Sequence, residues 1–361
     1  MYENELKALK RSGRFRTRKI FDEELFDFAS NDYLGFTNRK KSLKKAFKLL
    51  KKYKTITPKA SMLVNGYHQI HKDFEDKLCE VNQFEAGVIV GSGFLANLSL
   101  IEGLVRKNDM LFMDEDYHAS GVIATRMLEG RIVFFKHNDA KDLENKLKLY
   151  GANSKRNIIA VEGVYSMSGN ICNKEIIDIA NEINTILIVD EAHSSGVIGE
   201  NLLGLYDYYN IQIRPNHIKM GTLGKAYGSY GAYILSSHNI IDFLVNRSKP
   251  IIYSTAPSVF DTALALVNLR FLIKNKHKIK NKIKARQKIV NNILNINSNS
   301  LIIAIKQNNN KFVIEMQKKL IDSGFLVGAI RQPTVTIPIL RLIPRLGVSK
   351  KKLKKLLFKI V

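Results

Sequence analysis

A chain of 361 residues, 45% of them hydrophobic, is long enough for two lobes around a sizeable core. Its 57 Lys and Arg against 33 Asp and Glu give a net charge of +24, which invites nucleic acid, an anionic surface or acidic small molecules as partners. Nothing approaches the roughly 20 apolar residues needed to span a bilayer, and the first residues carry no apolar signal core, so a membrane or secreted protein is not expected.

The elements follow in chain order. Lys40–Lys54 carries apolar residues at helical spacing and reads as a helix with a solvated lysine face. Short apolar runs at Ala86–Gly91, Met110–Met113, Ile132–Phe135, Asn157–Val161, Thr185–Val189, His217–Met220 and Ala232–Leu235 read as buried strands. Helical segments at Gly93–Leu104, Ala140–Tyr150 and Lys174–Asn184 separate them. That alternation predicts an α/β lobe with a mostly parallel sheet covered on both faces. Beyond residue 260 the pattern changes. Phe260–Ile296 reads as one or two long basic helices, Leu301–Ile305 as a strand and Asn310–Gly324 as a helix. Strands at Phe325–Ala329 and Ile339–Ile343 follow, and Lys350–Lys359 is a second lysine-faced helix. This predicts a smaller α+β lobe, and the division expected is an arm over 1–34, a large lobe over 35–262 and a small lobe over 263–361. The lysines do not gather in one segment, so the charge reads first as solvated surface. Cys79 and Cys172 stand alone, with no metal-ligand spacing; a reduced, cytoplasmic, metal-free protein is expected.

Several strand ends carry chemistry. Asp190-Glu191-Ala192-His193 has the letters of a helicase motif, but that chemistry needs an upstream phosphate loop. The Gly224-Lys225 pair lies downstream, position 219 is Lys where the loop's first Gly should be, and Ala226 cannot hold magnesium. A cofactor site fits better. Asp190 at a strand end can face a protonated ring nitrogen and keep the ring an electron sink, while His193 bonds another heteroatom of that ring. In Gly221-Thr222-Leu223-Gly224-Lys225, a sheltered Lys225 amine has a lowered pKa suited to imine formation, and Thr222 can hold a phosphate oxygen. Ser92-Gly93-Phe94 opens a helix whose free N–H groups offer a phosphate seat. His118 follows a further strand and can stack on a flat ring. Ligands gather at these carboxyl ends in open α/β sheets.

These motifs resemble the α-oxoamine synthase family of fold-type I pyridoxal-phosphate enzymes over nearly the whole chain. The likeness runs through Ser30–Gly35, Leu63–Tyr67, Ser92–Phe94, Tyr117–Ser120, His137–Asp139, Glu162–Met167, Val189–His193, Gly221–Lys225 and Tyr253–Thr255. Ala329-Ile330-Arg331-Gln332-Pro333-Thr334-Val335 is typical of the pimeloyl-using branch. The resemblance implies pyridoxal 5'-phosphate as cofactor, with Lys225 as its Schiff-base lysine and Asp190 paired with the pyridinium. It implies His193 and Ser166 at the ring hydroxyl, His118 stacked on the ring, and Gly93, Phe94 and Thr222 at the phosphate. Thr255 would reach in from a neighbouring subunit of a homodimer. Asn31, Thr334 and Arg341 match substrate contacts, Arg341 for the amino-acid carboxylate, and Arg16, with Arg14 as competitor, matches the pimeloyl end. The reaction implied is decarboxylative condensation of L-alanine with pimeloyl-CoA or pimeloyl-acyl-carrier protein. A glycine- and acetyl-CoA-using ligase of the same family is the near alternative, and a basic nucleic-acid-binding protein the distant one.

The sequence departs from the family pattern in places. Thr57–Met62 replaces a glycine-rich stretch, so a differently shaped loop is expected there. Ser166-Met167-Ser168-Gly169-Asn170 stands where an acidic version is usual. The spacing of the tail leaves Arg345 as a substitute for Arg341.

Overall fold

The computed structural model describes all residues except 129 and 130. Its centre is a seven-stranded sheet of β1 (Ala86–Val90), β2 (Met110–Asp114), β3 (Arg131–Phe135), β4 (Asn157–Glu162), β5 (Ile186–Asp190), β6 (His217–Thr222) and β7 (Ala232–Ser236). The strands lie in the order β1-β7-β6-β5-β4-β2-β3. β7 runs antiparallel to both neighbours, and the other pairings are parallel. Side chains alternate between two buried faces. Ile159 and Val161 of β4 enter one core with Leu187 and Val189, while Ile158 and Ala160 enter the other with Ile188 and Ile218. Burial on both faces explains why these strands read as unbroken apolar runs.

The basic helices behave as solvated faces. Lys350–Ile360 buries Leu353, Leu356 and Leu357 and turns its lysines outward. Lys40–Leu50 buries Ser42, Ala46 and Leu50 in the same way. The long stretch after residue 258 is two helices, Val259–Lys274 and Lys276–Leu294. They part at Asn275, whose side chain donates to the Phe271 carbonyl at 2.8 Å and ends the first.

Val259–Lys274 crosses the expected boundary at 262/263 and places Ala265, Leu266, Leu269 and Leu272 in the core beneath the large sheet. A second core joins Val290, Ile303, Val313, Leu320, Leu340 and Leu353. Its sheet holds three antiparallel strands, Gly328–Ile330, Ile339–Leu342 and Ile303–Lys306. The single strand expected over Phe325–Ala329 is two. Phe325–Leu326 pairs with Phe26–Asp27, and Gly328–Ile330 pairs with Ile339–Leu342, with buried Val327 between them. Phe28 belongs to the smaller core and Tyr33 to the larger, so the end of the arm ties both together. Among the described residues no helix is long and apolar enough to cross a membrane.

Candidate active site

The carboxyl ends of the parallel strands carry Asp114, Glu162, Asp190 and Thr222. Asp190 is 3% exposed at the end of β5. Its Oδ1 accepts the Ala192 N–H and its Oδ2 the Asn97 side-chain amide, each at 2.9 Å. Asn97 sits one turn into Gly93–Leu104 and is itself fixed, donating to Ser120 Oγ at 2.9 Å and accepting Tyr117 Oη at 2.8 Å. A buried carboxylate with two directed donors is held in one orientation. Asn97 and Tyr117 were not singled out from sequence, where they read as helix interior and motif filler.

Lys225 sits in the turn that follows β6, whose penultimate residue is Gly221. A Cβ there would lie 2.3 Å from the Tyr233 ring, so a glycine is required. The turn closes through Gly228, at φ +56°, whose N–H donates to the Lys225 carbonyl at 3.1 Å. Lys225 Nζ lies 2.6 Å from His193 Nε2, and His193 Nδ1 lies 2.6 Å from Tyr33 Oη. Burial lowers the Lys225 amine to about 8, against the opposing pull of the Asp190 charge. Burial and then the Lys225 charge push His193 well below its usual value. The amine is therefore free above about pH 8, where an ordinary lysine at 10.5 remains charged. Acylation of Lys225 in cofactor-free protein should accordingly rise through pH 8, read by peptide-resolved mass spectrometry. Reactivity appearing only with that of surface lysines would contradict it.

His118 caps the helix Ala119–Ala124, accepting the Ser120 N–H at 3.2 Å, with its Nδ1 also 2.7 Å from Ser120 Oγ. Burial lowers its pKa, with the Asp190 charge opposing. Across from it, Ser92 caps Gly93–Leu104 by accepting the Leu95 N–H at 3.3 Å. The N–H groups of Gly93 and Phe94, in the first turn, have no acceptor within the helix. Thr222 Oγ1 donates to Gly231 O at 3.1 Å and accepts Gly224 N–H at 3.3 Å. One cavity of about 200 Å³ is lined by Gly93, Phe94, His118, Asp190, His193 and Lys225, together with Thr222 and Glu162.

The donor set suits pyridoxal phosphate. A carboxylate and an amine face one space, and a helix N-terminus with a threonine offers an anion seat at its rim. A Cβ on Gly93 would meet only Thr222 Cβ, at 3.9 Å, so the seat is open where a phosphate would enter.

The remaining expected residues fall in two places. Arg341 is buried; its Nε donates to the Ser166 carbonyl at 2.8 Å, Nη1 donates to Asn31 at 3.0 Å, and Nη2 has no protein partner. Arg345 is committed elsewhere, clasped by Asp27 and Asp32 and donating to the Asp32 carbonyl at 3.1 Å. Arg345→Ala should therefore unfold at lower urea, by about 3 kcal/mol, because it strands the buried Asp32 carboxylate. Arg341→Ala, which loses two hydrogen bonds but strands no carboxylate, should lose less stability and bind the amino acid more weakly. Equal stability losses in the two variants would contradict this assignment. Arg16 donates to Thr334 Oγ1 at 2.8 Å in a separate cleft of about 180 Å³ lined also by Arg14 and Arg331. Arg331, which donates to the Gly13 carbonyl at 2.9 Å, adds a third guanidinium that the sequence reading had left in its motif. Thr255 is exposed, bridged to Ser61, and does not line the Lys225 cavity. The Thr57–Met62 loop is held by Ser61 Oγ donating to the Ile252 carbonyl at 2.7 Å, and Lys59 takes φ +61°, a conformation glycine adopts without strain.

The sheet and this constellation define a fold-type I pyridoxal-phosphate enzyme. The family model for class I and II aminotransferases matches residues 23–360. A curated 8-amino-7-oxononanoate synthase from Helicobacter pylori strain J99 is 44% identical over 357 residues, covering 99% of this chain and 95% of the relative. The solved 8-amino-7-oxononanoate synthase of Francisella tularensis superposes with a TM-score of 0.77 at 26% identity, covering 94% of this chain and 97% of that one. Serine palmitoyltransferase of Sphingomonas wittichii shares the fold, with a TM-score of 0.86 at 24% identity over 92% of this chain and 86% of that one. The chain belongs to the class I and II aminotransferase family and, within it, to the 8-amino-7-oxononanoate synthases.

Proposed function

We propose that the chain condenses L-alanine with a pimeloyl thioester, carried on CoA or on an acyl-carrier protein. The products are 8-amino-7-oxononanoate, carbon dioxide and the free thiol, a step of biotin biosynthesis. The observation that carries this reading is the placement of Lys225, Asp190, His193 and His118 around one cavity. When bound, pyridoxal phosphate supplies the electron sink that stabilises negative charge at the amino acid's α-carbon.

The chain's own groups divide the work. Arg341, with one free guanidinium nitrogen, takes the alanine carboxylate and fixes which bond at the α-carbon is presented. Lys225 Nζ, kept as the free amine by burial and oriented by His193, takes the α-proton. The α-carbon then bonds to the thioester carbonyl carbon, the C–S bond breaks, and the thiolate leaves. Loss of the alanine carboxylate as carbon dioxide follows, and Lys225 returns a proton to the α-carbon. The residues that would hold the group are Asp190 for the ring nitrogen, His193 and Ser166 for its hydroxyl, and His118 for its face. The cleft of Arg14, Arg16 and Arg331 suits the far carboxylate of the pimeloyl chain. A cytoplasmic homodimer is the working form; exposed Val64, Tyr67 and Tyr253, in and beside the loops joined at Ser61 and Thr255, support self-association.

The test is thiol release and product formation with purified holoenzyme. Alanine with pimeloyl-CoA should exceed glycine with acetyl-CoA by roughly 10²-fold, the discrimination a shaped pocket achieves. Preference for the glycine pair would overturn the substrate reading and leave the fold untouched.

A further inference from the structure

Glu162 has no part in the steps above, yet it stands in the middle of the site. It ends β4 directly opposite Asp190 of β5, is 1% exposed, and lines the same cavity as Lys225. Its Oε2 accepts the Ser166 N–H at 3.1 Å, while Oε1 has no protein partner. Among the described residues no lysine or arginine pairs with it: Lys225 gives its bond to His193, and Arg341 gives two to Ser166 and Asn31. The groups around it are Asp190 and Asp114 on the flanking strands, Lys225 across the cavity, and the hydroxyls of Tyr33, Tyr117 and Tyr165. Two carboxyls at adjacent strand ends cannot both carry charge cheaply in a dry site. Asp190 has two donors and Glu162 one, so the proton belongs on Glu162.

We propose that Glu162 is a protonated carboxylic acid of the active site whose Oε1 donates a hydrogen bond to the acyl carbonyl oxygen of the thioester substrate. This rests on the condensation reading and gives it a donor at the oxygen where negative charge develops as the new carbon–carbon bond forms. Burial, and then the Asp190 charge, hold its carboxyl well above the usual range, against the pull of Lys225 and the Ser166 N–H. The alanine carboxylate is already served by Arg341. A neutral acid here also spares Lys225 a second anion that would hold it as ammonium.

Two measurements test it. Infrared spectra of cofactor-free protein carrying carboxyl-labelled glutamate should show the C=O stretch of a protonated acid at neutral pH, lost in Glu162→Gln. The difference spectrum separates this band from that of Glu75, which burial raises to about 7. Folded wild type and variant with identical spectra would overturn the proposal, whatever the substrates prove to be. In holoenzyme, Glu162→Gln keeps a neutral donor and should lower kcat roughly tenfold. Glu162→Leu removes the donor and should lower it by about 10²- to 10³-fold, with little change in KM for alanine. Deprotonation of Glu162 should make kcat of the wild type fall at alkaline pH, a fall that should be absent in Glu162→Gln. A glutamine variant as impaired as the leucine one, both folded by near-ultraviolet circular dichroism, would mean the site needs an anion, and the proposal would fail.

Discussion

Lys225→Ala should give a folded, nearly inactive protein, with turnover reduced at least about 10⁴-fold, the scale seen when a covalent catalytic group is removed. On the proposed roles two losses would combine: the amine that attaches the cofactor aldehyde, and the base that moves the α-proton. The cost to the fold is small, because Lys225 is half-buried and its one side-chain partner is His193. The cofactor should still bind, held by Asp190, Thr222 and the first turn of Gly93–Leu104, but it should wash out on dialysis. Its near-ultraviolet and visible spectrum should be that of a free aldehyde. A variant with wild-type absorbance and turnover would remove Lys225 from the chemistry.

Asp190→Asn should lower turnover about 10³-fold while cofactor remains attached to Lys225. The asparagine is nearly isosteric, so the cavity keeps its shape, but no charge remains to hold the ring nitrogen protonated. A second effect comes from hydrogen bonding. Asp190 accepts from both Asn97 and the Ala192 N–H. Asparagine cannot accept on both sides, so one donor is stranded at a cost of about 1–3 kcal/mol. Thermal unfolding should show that smaller loss, and a cofactor analogue with a permanently charged ring nitrogen should restore part of the turnover. Unchanged kinetics in a well-folded variant would mean Asp190 is structural.

The strand ends were legible because burial on both sheet faces leaves a continuous apolar run, and the first polar residue after it marks the carboxyl edge. Asp190 after Ile186–Val189 and Asp114 after Met110–Met113 are of this kind. What stayed hidden depends on neighbours far away in the chain. Tyr33 reaches His193 across 160 positions, and Asn97 reaches Asp190 across 93; neither separation leaves a local pattern. The choice between Arg341 and Arg345 was open for the same reason. Only packing shows that Asp27 and Asp32 claim Arg345 and leave a nitrogen of Arg341 free. Glu162 carries no role in its motif when read from sequence, since an end-of-strand acid and a cavity acid look alike there. Other misses were local and readable. Ile70, Phe74 and Leu78 recur every four residues and mark the helix Gln69–Asn82, which had not been assigned. The break of Phe325–Ala329 into two strands reflects pairing with two different partners, one of them from the arm near Phe26.

The amine at Lys225 and the carboxylate at Asp190 are proposed to close on a single cofactor ring. Borohydride reduction of purified holoenzyme followed by peptide mapping tests it most directly. One reduced pyridoxyl group per chain, on Lys225, is the expected result, with the same experiment on Asp190→Asn still labelling Lys225. Labelling of a different lysine, or none in a folded protein saturated with cofactor, would contradict it.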